Sequence, residues 1–247
     1  MRDADMKIDG SAALVTGANR GIGKAFADEL LDRGATRVYA AVRDVATITD
    51  PRLTPVALDV TDPAAVAAAA AEFADVAIVV NNAGIASSNL PLSAPLDVAR
   101  GELEVNYFGL IAMTQAFAPV VAANGGGAFV NMLSVASWAA YPVAATYSAS
   151  KAAAWSYTNA ARQQLKAQGT EVVAVHVGPV DTDMQAGTDV AKTPPADVAR
   201  SALDALEAGR SEAIVDEISR NVKSTLHDDL TLLYPAIEAQ FAAQLAG

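Results

Sequence analysis

The chain has 247 residues, 52% of them hydrophobic, and a formal net charge of −11. That apolar fraction lets it fold, and the length suits one large α/β domain over residues 1–247 better than two small ones. The acidic balance argues against nucleic acid as a partner, and the absence of cysteine removes disulfides, thiolate nucleophiles and Cys-ligated metals.

In chain order, the apolar run at 12–16 reads as a buried strand. It enters a turn carrying three glycines, Gly17, Gly21 and Gly23, and then a helix over 22–33 with Ala25, Phe26, Ala27, Leu30 and Leu31 inward. Gly34 stands where that helix should stop. Strands follow at 37–42, 55–58 and 76–80, then at 128–133 and 172–177, with a short seventh at 213–215. Gly169 marks a helix end, and Thr193-Pro194-Pro195 reads as a cap followed by proline at a helix start. Apolar strand runs without polar alternation imply strands covered on both faces, and helices between them imply parallel crossovers. The expected fold class is α/β: a Rossmann-like, doubly wound parallel β-sheet of order 3-2-1-4-5-6-7 with helices on both faces.

Two histidines, His176 and His227, cannot build a histidine-rich metal site, and no metal is expected. The opening Met1-Arg2-Asp3-Ala4-Asp5-Met6-Lys7 lacks the apolar core of a signal peptide. The alanine run at 64–71 is too short to span a bilayer. The expectation is a cytoplasmic protein without a membrane partner.

A glycine turn between first strand and first helix lets the backbone approach a pyrophosphate, which the helix N-terminus attracts with free N–H groups. Tyr147 and Lys151 are four apart, one turn on a helix, so they share a face. A free tyrosine titrates near 10 and is a poor base at neutral pH. A neighbouring cation favours phenolate and is expected to lower that value by roughly 1–3. Tyr147 would then exchange a proton with a carbonyl or an alcohol.

Together these motifs resemble the classical short-chain dehydrogenase/reductase family. Thr16-Gly17-Ala18-Asn19-Arg20-Gly21-Ile22-Gly23 matches its TGxxxGxG turn, and Asn81-Asn82-Ala83-Gly84 its NNAG motif. Asn106 with Gly109 is similar to its helix asparagine motif. Ser134, Tyr147 and Lys151 match its serine, tyrosine and lysine, and Gly178-Pro179-Val180-Asp181-Thr182 its PGxxxT segment, with Val177 where proline is usual.

The resemblance implies an oxidoreductase that moves a hydride between a nicotinamide and a small carbonyl or alcohol substrate. It makes Tyr147 the acid/base and Ser134 the group that orients the substrate oxygen. Lys151 also holds the nicotinamide ribose, and Asn106 anchors a water that resupplies protons. The implied cofactor set is Gly17, Asn19, Arg20, Gly21, Ile22, Gly23, Arg43, Asp59, Val60, Asn82, Ala83, Gly84, Tyr147, Lys151, Gly178, Pro179, Val180 and Thr182. Asn82 is expected mainly to tie neighbouring strands together. Family practice also suggests a homo-oligomer, a tetramer before a dimer.

The residue that is acidic in NAD-preferring relatives falls on Val42, followed by Arg43. With Arg20 in the glycine turn, two guanidinium groups are expected to converge on a 2′-phosphate, so NADP(H) is expected over NAD(H). Asp44 would reverse that choice if it were the ribose ligand. Ile85, Trp138, Tyr141, Pro179 and Met184 are expected near the substrate, with no arginine or lysine placed to grip an anion, which suggests an uncharged ketone or aldehyde. A non-catalytic dinucleotide sensor is the alternative from another class; such relatives usually lack the tyrosine or the lysine.

Overall fold

The strands were expected to be buried on both faces, and the computed structural model, which describes residues 6–187 and 189–246, gives the reason. Residues 1–5, part of the opening stretch read above as lacking a leader, lie outside the described residues. Strands β1 (Ala12–Thr16), β2 (Arg37–Val42), β3 (Thr54–Ala57), β4 (Val76–Asn81), β5 (Gly127–Met132), β6 (Thr170–His176) and β7 (Glu212–Ile214) form one sheet. The order is β3-β2-β1-β4-β5-β6-β7 and every pairing is parallel, as expected.

Successive strand residues face opposite sides, so the central strands β1, β2, β4, β5 and β6 each feed two cores. Edge strand β3 buries only Val56 and β7 only Ala213. Ala13 and Val15 of β1 join one core, while Ala12 and Leu14 join the other. The first core is closed by α1 (Gly21–Asp32) through Phe26 and Leu30 and by α6 (Pro195–Glu207) through Val198, Leu203 and Leu206. The second is closed by α2 (Pro63–Glu72), α4 (Gly109–Ala123) and α5 (Ala145–Leu165), using Val66, Met113, Phe117, Val121 and Leu165. Burying a large aliphatic or aromatic side chain is worth about 1.5–3 kcal/mol, which is why strands that look uninterruptedly apolar are stable here.

Element ends differ slightly from expectation. β3 starts at Thr54 and tolerates Pro55 because it is the edge strand of the sheet. Gly34, at φ +87, ends the turn after α1 as expected. Thr193 is not the cap of α6: its backbone pairs with the Pro179–Asp181 segment, and Pro194 occupies the N-cap with no side-chain hydrogen bond.

Helix α3 (Leu96–Leu103) continues through a π-helical turn, Glu104–Phe108, into α4. The combined helix Leu96–Ala123 is long and apolar enough to cross a membrane by length and composition. Its inward residues Met113, Phe117 and Val121 instead pack on the sheet. Helices α7 (Glu217–Thr225) and α8 (Tyr234–Ala246) follow β7.

Candidate active site

The C-terminal ends of β1 to β6 open into a cavity of about 1260 Å³. Such an edge, where crossovers leave on opposite faces, is where doubly wound sheets take ligands. Every residue assigned above to the cofactor lines this cavity, as do Ser134, Tyr147 and Lys151. Asn106 does not. It lines a separate void of about 10 Å³ together with Lys151.

The glycine turn is fixed by close approach. A Cβ on Gly23 would lie 2.1 Å from the carbonyl oxygen of Gly17 and 2.6 Å from Asn82 Nδ2. Gly17 and Gly21 take φ of +67 and +53, which side chains resist. No side chain caps α1 and its first turn holds no acid, so its free N–H groups face the cavity mouth unopposed. That arrangement suits a pyrophosphate.

Asn82 does tie strands, as expected: its Nδ2 donates to Thr16 O at 2.9 Å. The Thr16 hydroxyl accepts the N–H groups of Asn82 and Ala83, each at 2.9 Å.

Tyr147 and Lys151 lie on α5, with Lys151 Nζ 5.9 Å from the tyrosine ring centroid. Nζ donates to the Met132 carbonyl at 2.8 Å, and burial lowers the ammonium to about 8. The expected lowering of Tyr147 is not seen. Burial pushes the phenol up, Glu102 pushes it further, and only the hydrogen bond with Ser134 pulls it down. Partial burial outweighs the lysine here because its charge lies 5.9 Å from the ring centroid.

Ser134 caps a 3-10 turn, Val135–Ser137: its oxygen accepts Ala136 N–H at 3.1 Å, and Ser137 Oγ accepts Ser134 N–H at 3.2 Å. Asn106 sits in the π-turn, donating to Ile85 O at 2.8 Å and Ser150 Oγ at 2.9 Å. Ser137 and Ser150, given no role from sequence, thus support two of the candidate residues. The Ser134-x-x-Ser137 spacing was an available capping signal, whereas the bond from Asn106 to Ser150, 44 residues apart, leaves no signal in spacing.

At the outer end, Arg20 does not stand free beside Arg43: its guanidinium pairs with Asp183 across the cleft. The expected two-arginine clamp therefore has one arm engaged, since Asp183 lies just past Thr182 on the facing loop. Arg43 follows β2 directly and lines the cavity near Asp59. Asp44 caps the 3-10 turn Val45–Thr47, accepting Ala46 N–H at 3.0 Å.

The loop after β6 depends on Asp216, which sequence reasoning missed. Its Oδ2 accepts Gly178 N–H at 2.6 Å and its Oδ1 accepts Ser219 N–H at 2.7 Å, so one carboxylate caps α7 and holds the loop. The Asp-x-x-Ser spacing at 216–219 was the available signal. Val177 stands in for proline inside the sheet's extension: its carbonyl accepts Val135 N–H at 2.9 Å.

Trp138, expected at the substrate, lies outside the cavity. Its ring stacks on the fully buried His176 at 3.7 Å between centroids. His176 Nδ1 is 3.2 Å from Ser134 O and, facing a carbonyl, must be the donor. Burial lowers this histidine to about 4. Ile85, Tyr141, Pro179 and Met184 do line the cavity.

A family model described as short chain dehydrogenase matches residues 11–192. Sorbitol dehydrogenase of Cereibacter sphaeroides is 35% identical over 198 residues, covering 74% of this chain and 76% of that protein. Cis-4-hydroxycyclohexanecarboxylate dehydrogenase of Sinomonas cyclohexanicum is 35% identical over 240 residues, covering 92% and 93%. A short chain dehydrogenase from Burkholderia cenocepacia J2315, solved in complex with NADP, is 38% identical with a TM-score of 0.90, covering 94% of this chain and 99% of that one. By sequence, fold order and motif placement, the chain belongs to the classical short-chain dehydrogenase/reductase family of oxidoreductases.

Proposed function

We propose that this protein is an NADP(H)-dependent oxidoreductase that interconverts a carbonyl and an alcohol, with Tyr147 as proton donor and acceptor. One observation carries the reading: Tyr147, Lys151 and Ser134 line the same cavity as the uncapped N-terminus of α1 and the glycine turn. A sensing module would have no use for that convergence. When bound, the nicotinamide supplies or takes the hydride.

The chain's own groups do the rest. Ser134, fixed by its capping turn, holds the substrate oxygen beside Tyr147. A phenol held above its usual range keeps its proton at neutral pH, so Tyr147 is set to donate to a forming alkoxide. Lys151, at about 8, stays mostly charged at pH 7 and holds the ribose side. The void of about 10 Å³ between Asn106 and Lys151 has room for one water, which would return protons to Lys151.

NADP(H) is favoured by a neutral Val42 at the end of β2, by Arg43 after it, and by an Asp44 carboxylate already bonded to Ala46 N–H. The NADP complex of the Burkholderia structure agrees with this choice. The protein is a single-domain, cytoplasmic homo-oligomer in this reading, a tetramer before a dimer. Tyr147→Phe removes only the reacting hydroxyl. NADPH affinity should stay within about twofold while kcat falls by about 10²–10⁴ or more. Near-parental turnover in that variant would end the assignment.

A further inference from the structure

We propose that the substrate is an uncharged, apolar carbonyl compound of ring size or larger, not a sugar, an oxo acid or a carrier-bound acyl group; this rests on the oxidoreductase reading above. Five large aliphatic side chains, Ile85, Val143, Met184, Val190 and Ile218, remain 40–51% exposed while lining the cavity. Exposed apolar surface gathered in a concave site marks a place that an apolar ligand covers. Phe241 of α8 lines the same cavity.

Of the cations along the cavity, Lys151 bonds the Met132 carbonyl, Arg20 pairs with Asp183, and Arg43 stands at the end of β2. The Arg20–Asp183 pair adds no net charge, Asp181 adds negative charge, and the whole chain carries −11. An anionic substrate would meet repulsion without a guanidinium clamp. A sugar would leave these aliphatic walls against hydroxyl groups, with no gain from covering them.

The test compares α-tetralone and 2-decanone with fructose and acetoacetate. With NADPH, kcat/KM for the apolar ketones should exceed that for the other two by about 100-fold or more. Ile218→Glu should cut kcat/KM for tetralone about tenfold and leave NADPH affinity unchanged. Binding is read separately by calorimetry on NADPH-loaded Tyr147→Phe, where tetralone should bind and fructose and acetoacetate should not. Tighter binding of acetoacetate or fructose, or no binding of either apolar ketone, overturns the substrate class whatever the turnover. Apolar ketones that bind without any parental turnover overturn the reaction instead.

A second inference stands on a different observation. Glu102, at the end of α3, is wholly buried; Oε1 accepts Ser87 N–H at 2.7 Å, and Oε2 has no partner among the described residues. One turn on, Asn106 accepts Ile85 N–H at 2.9 Å, so two side chains of one helix face hold alternate amides of the cleft wall. We infer that Glu102 is a positioning residue that fixes this wall and keeps a carboxylate behind Tyr147. Among the described residues, Lys151 on its own helix and Ser134 at the end of β5 also face Tyr147, and Glu102 disfavours the phenolate by charge.

Glu102→Gln keeps an acceptor for Ser87 and removes the charge. The acidic limb of alcohol oxidation should then move down by about 0.5–1 in pH, with NADPH affinity unchanged. Glu102→Leu should move the limb the same way and raise KM as the wall loosens. A limb that stays in place in either folded variant overturns the inference, because a residue that only packs would leave the pH profile still when its charge is removed. Loss of fold in both would equally overturn it, showing a stability role in place of a positioning one.

Discussion

Lys151 and His176 are basic side chains taken out of water, and burial weakens both, to about 8 and about 4. Their partners differ. Lys151 reaches the cavity, while His176 lies behind Ser134 and is covered by Trp138. Lys151→Ala should therefore lower both kcat and NADPH affinity, whereas Tyr147→Phe should lower kcat alone; steady-state kinetics with direct NADPH titration separates them. For His176, the folded value lies below the unfolded 6.5. The folded state thus resists a proton that the unfolded chain accepts, so stability is full above about 6.5 and falls as pH drops toward 4. That linkage is worth about 3 kcal/mol in this buried setting. Denaturant melts of the parent and His176→Gln at pH 7 and pH 4.5 should show the variant's deficit shrinking at the lower pH. A constant deficit would show that the histidine does not carry this term.

At the scale of elements, the turn from β1 into α1 leaves no room for a side chain at Gly23. An alanine there meets backbone at 2.1 Å, and backbone cannot swing aside as a side-chain tip can. Gly23→Ala should cost about 1–3 kcal/mol by overpacking and weaken NADPH binding, read by thermal melts with and without cofactor. The end of β2 makes a different prediction. A charged hydrogen bond is worth roughly 1.5–3 kcal/mol, so Arg43→Ala should weaken NADPH binding about 10- to 100-fold and spare NADH. Arg20→Ala should do much less, since its guanidinium already serves Asp183. Equal losses of NADPH and NADH in Arg43→Ala would overturn Arg43 as the source of the proposed preference.

For the whole molecule, two cores on one sheet and an acidic surface set expectations for assembly and ligand response. Exposed Phe108 and Leu96 lie along the long α3–α4 helix, which gives a homo-oligomer apolar surface to cover. Light scattering at micromolar concentration should return four chain masses, or two for a dimer; a monomer would remove the assembly from the reading. A cofactor that binds only the folded state adds about 2.7 kcal/mol at 100 times its Kd. NADPH should therefore raise the melting temperature more than NADH at equal concentration.

What the sequence determined by itself was the fold class, the glycine turn and the Tyr147–Lys151 pair, while the other cavity residues came with the family resemblance. Local rules carry the first three. Apolar runs declare strands, glycines at fixed offsets declare a turn that backbone must approach, and Tyr147 and Lys151 share a face through helix pitch alone. Tertiary structure decided what depends on residues distant in sequence. Arg20 meets Asp183 across the cleft, Asp216 reaches back to Gly178, His176 settles behind Ser134, and Glu102 holds Ser87. Apart from His176 and Ser134, which lie on the paired ends of β6 and β5, none of these pairs shares a helix turn or a strand register, so no spacing announces them. Tyr147 makes the same point in energy. Sequence placed a cation one turn away and implied a lowered phenol, but the burial that raises it exists only once α3, α5 and β5 have packed around the hydroxyl.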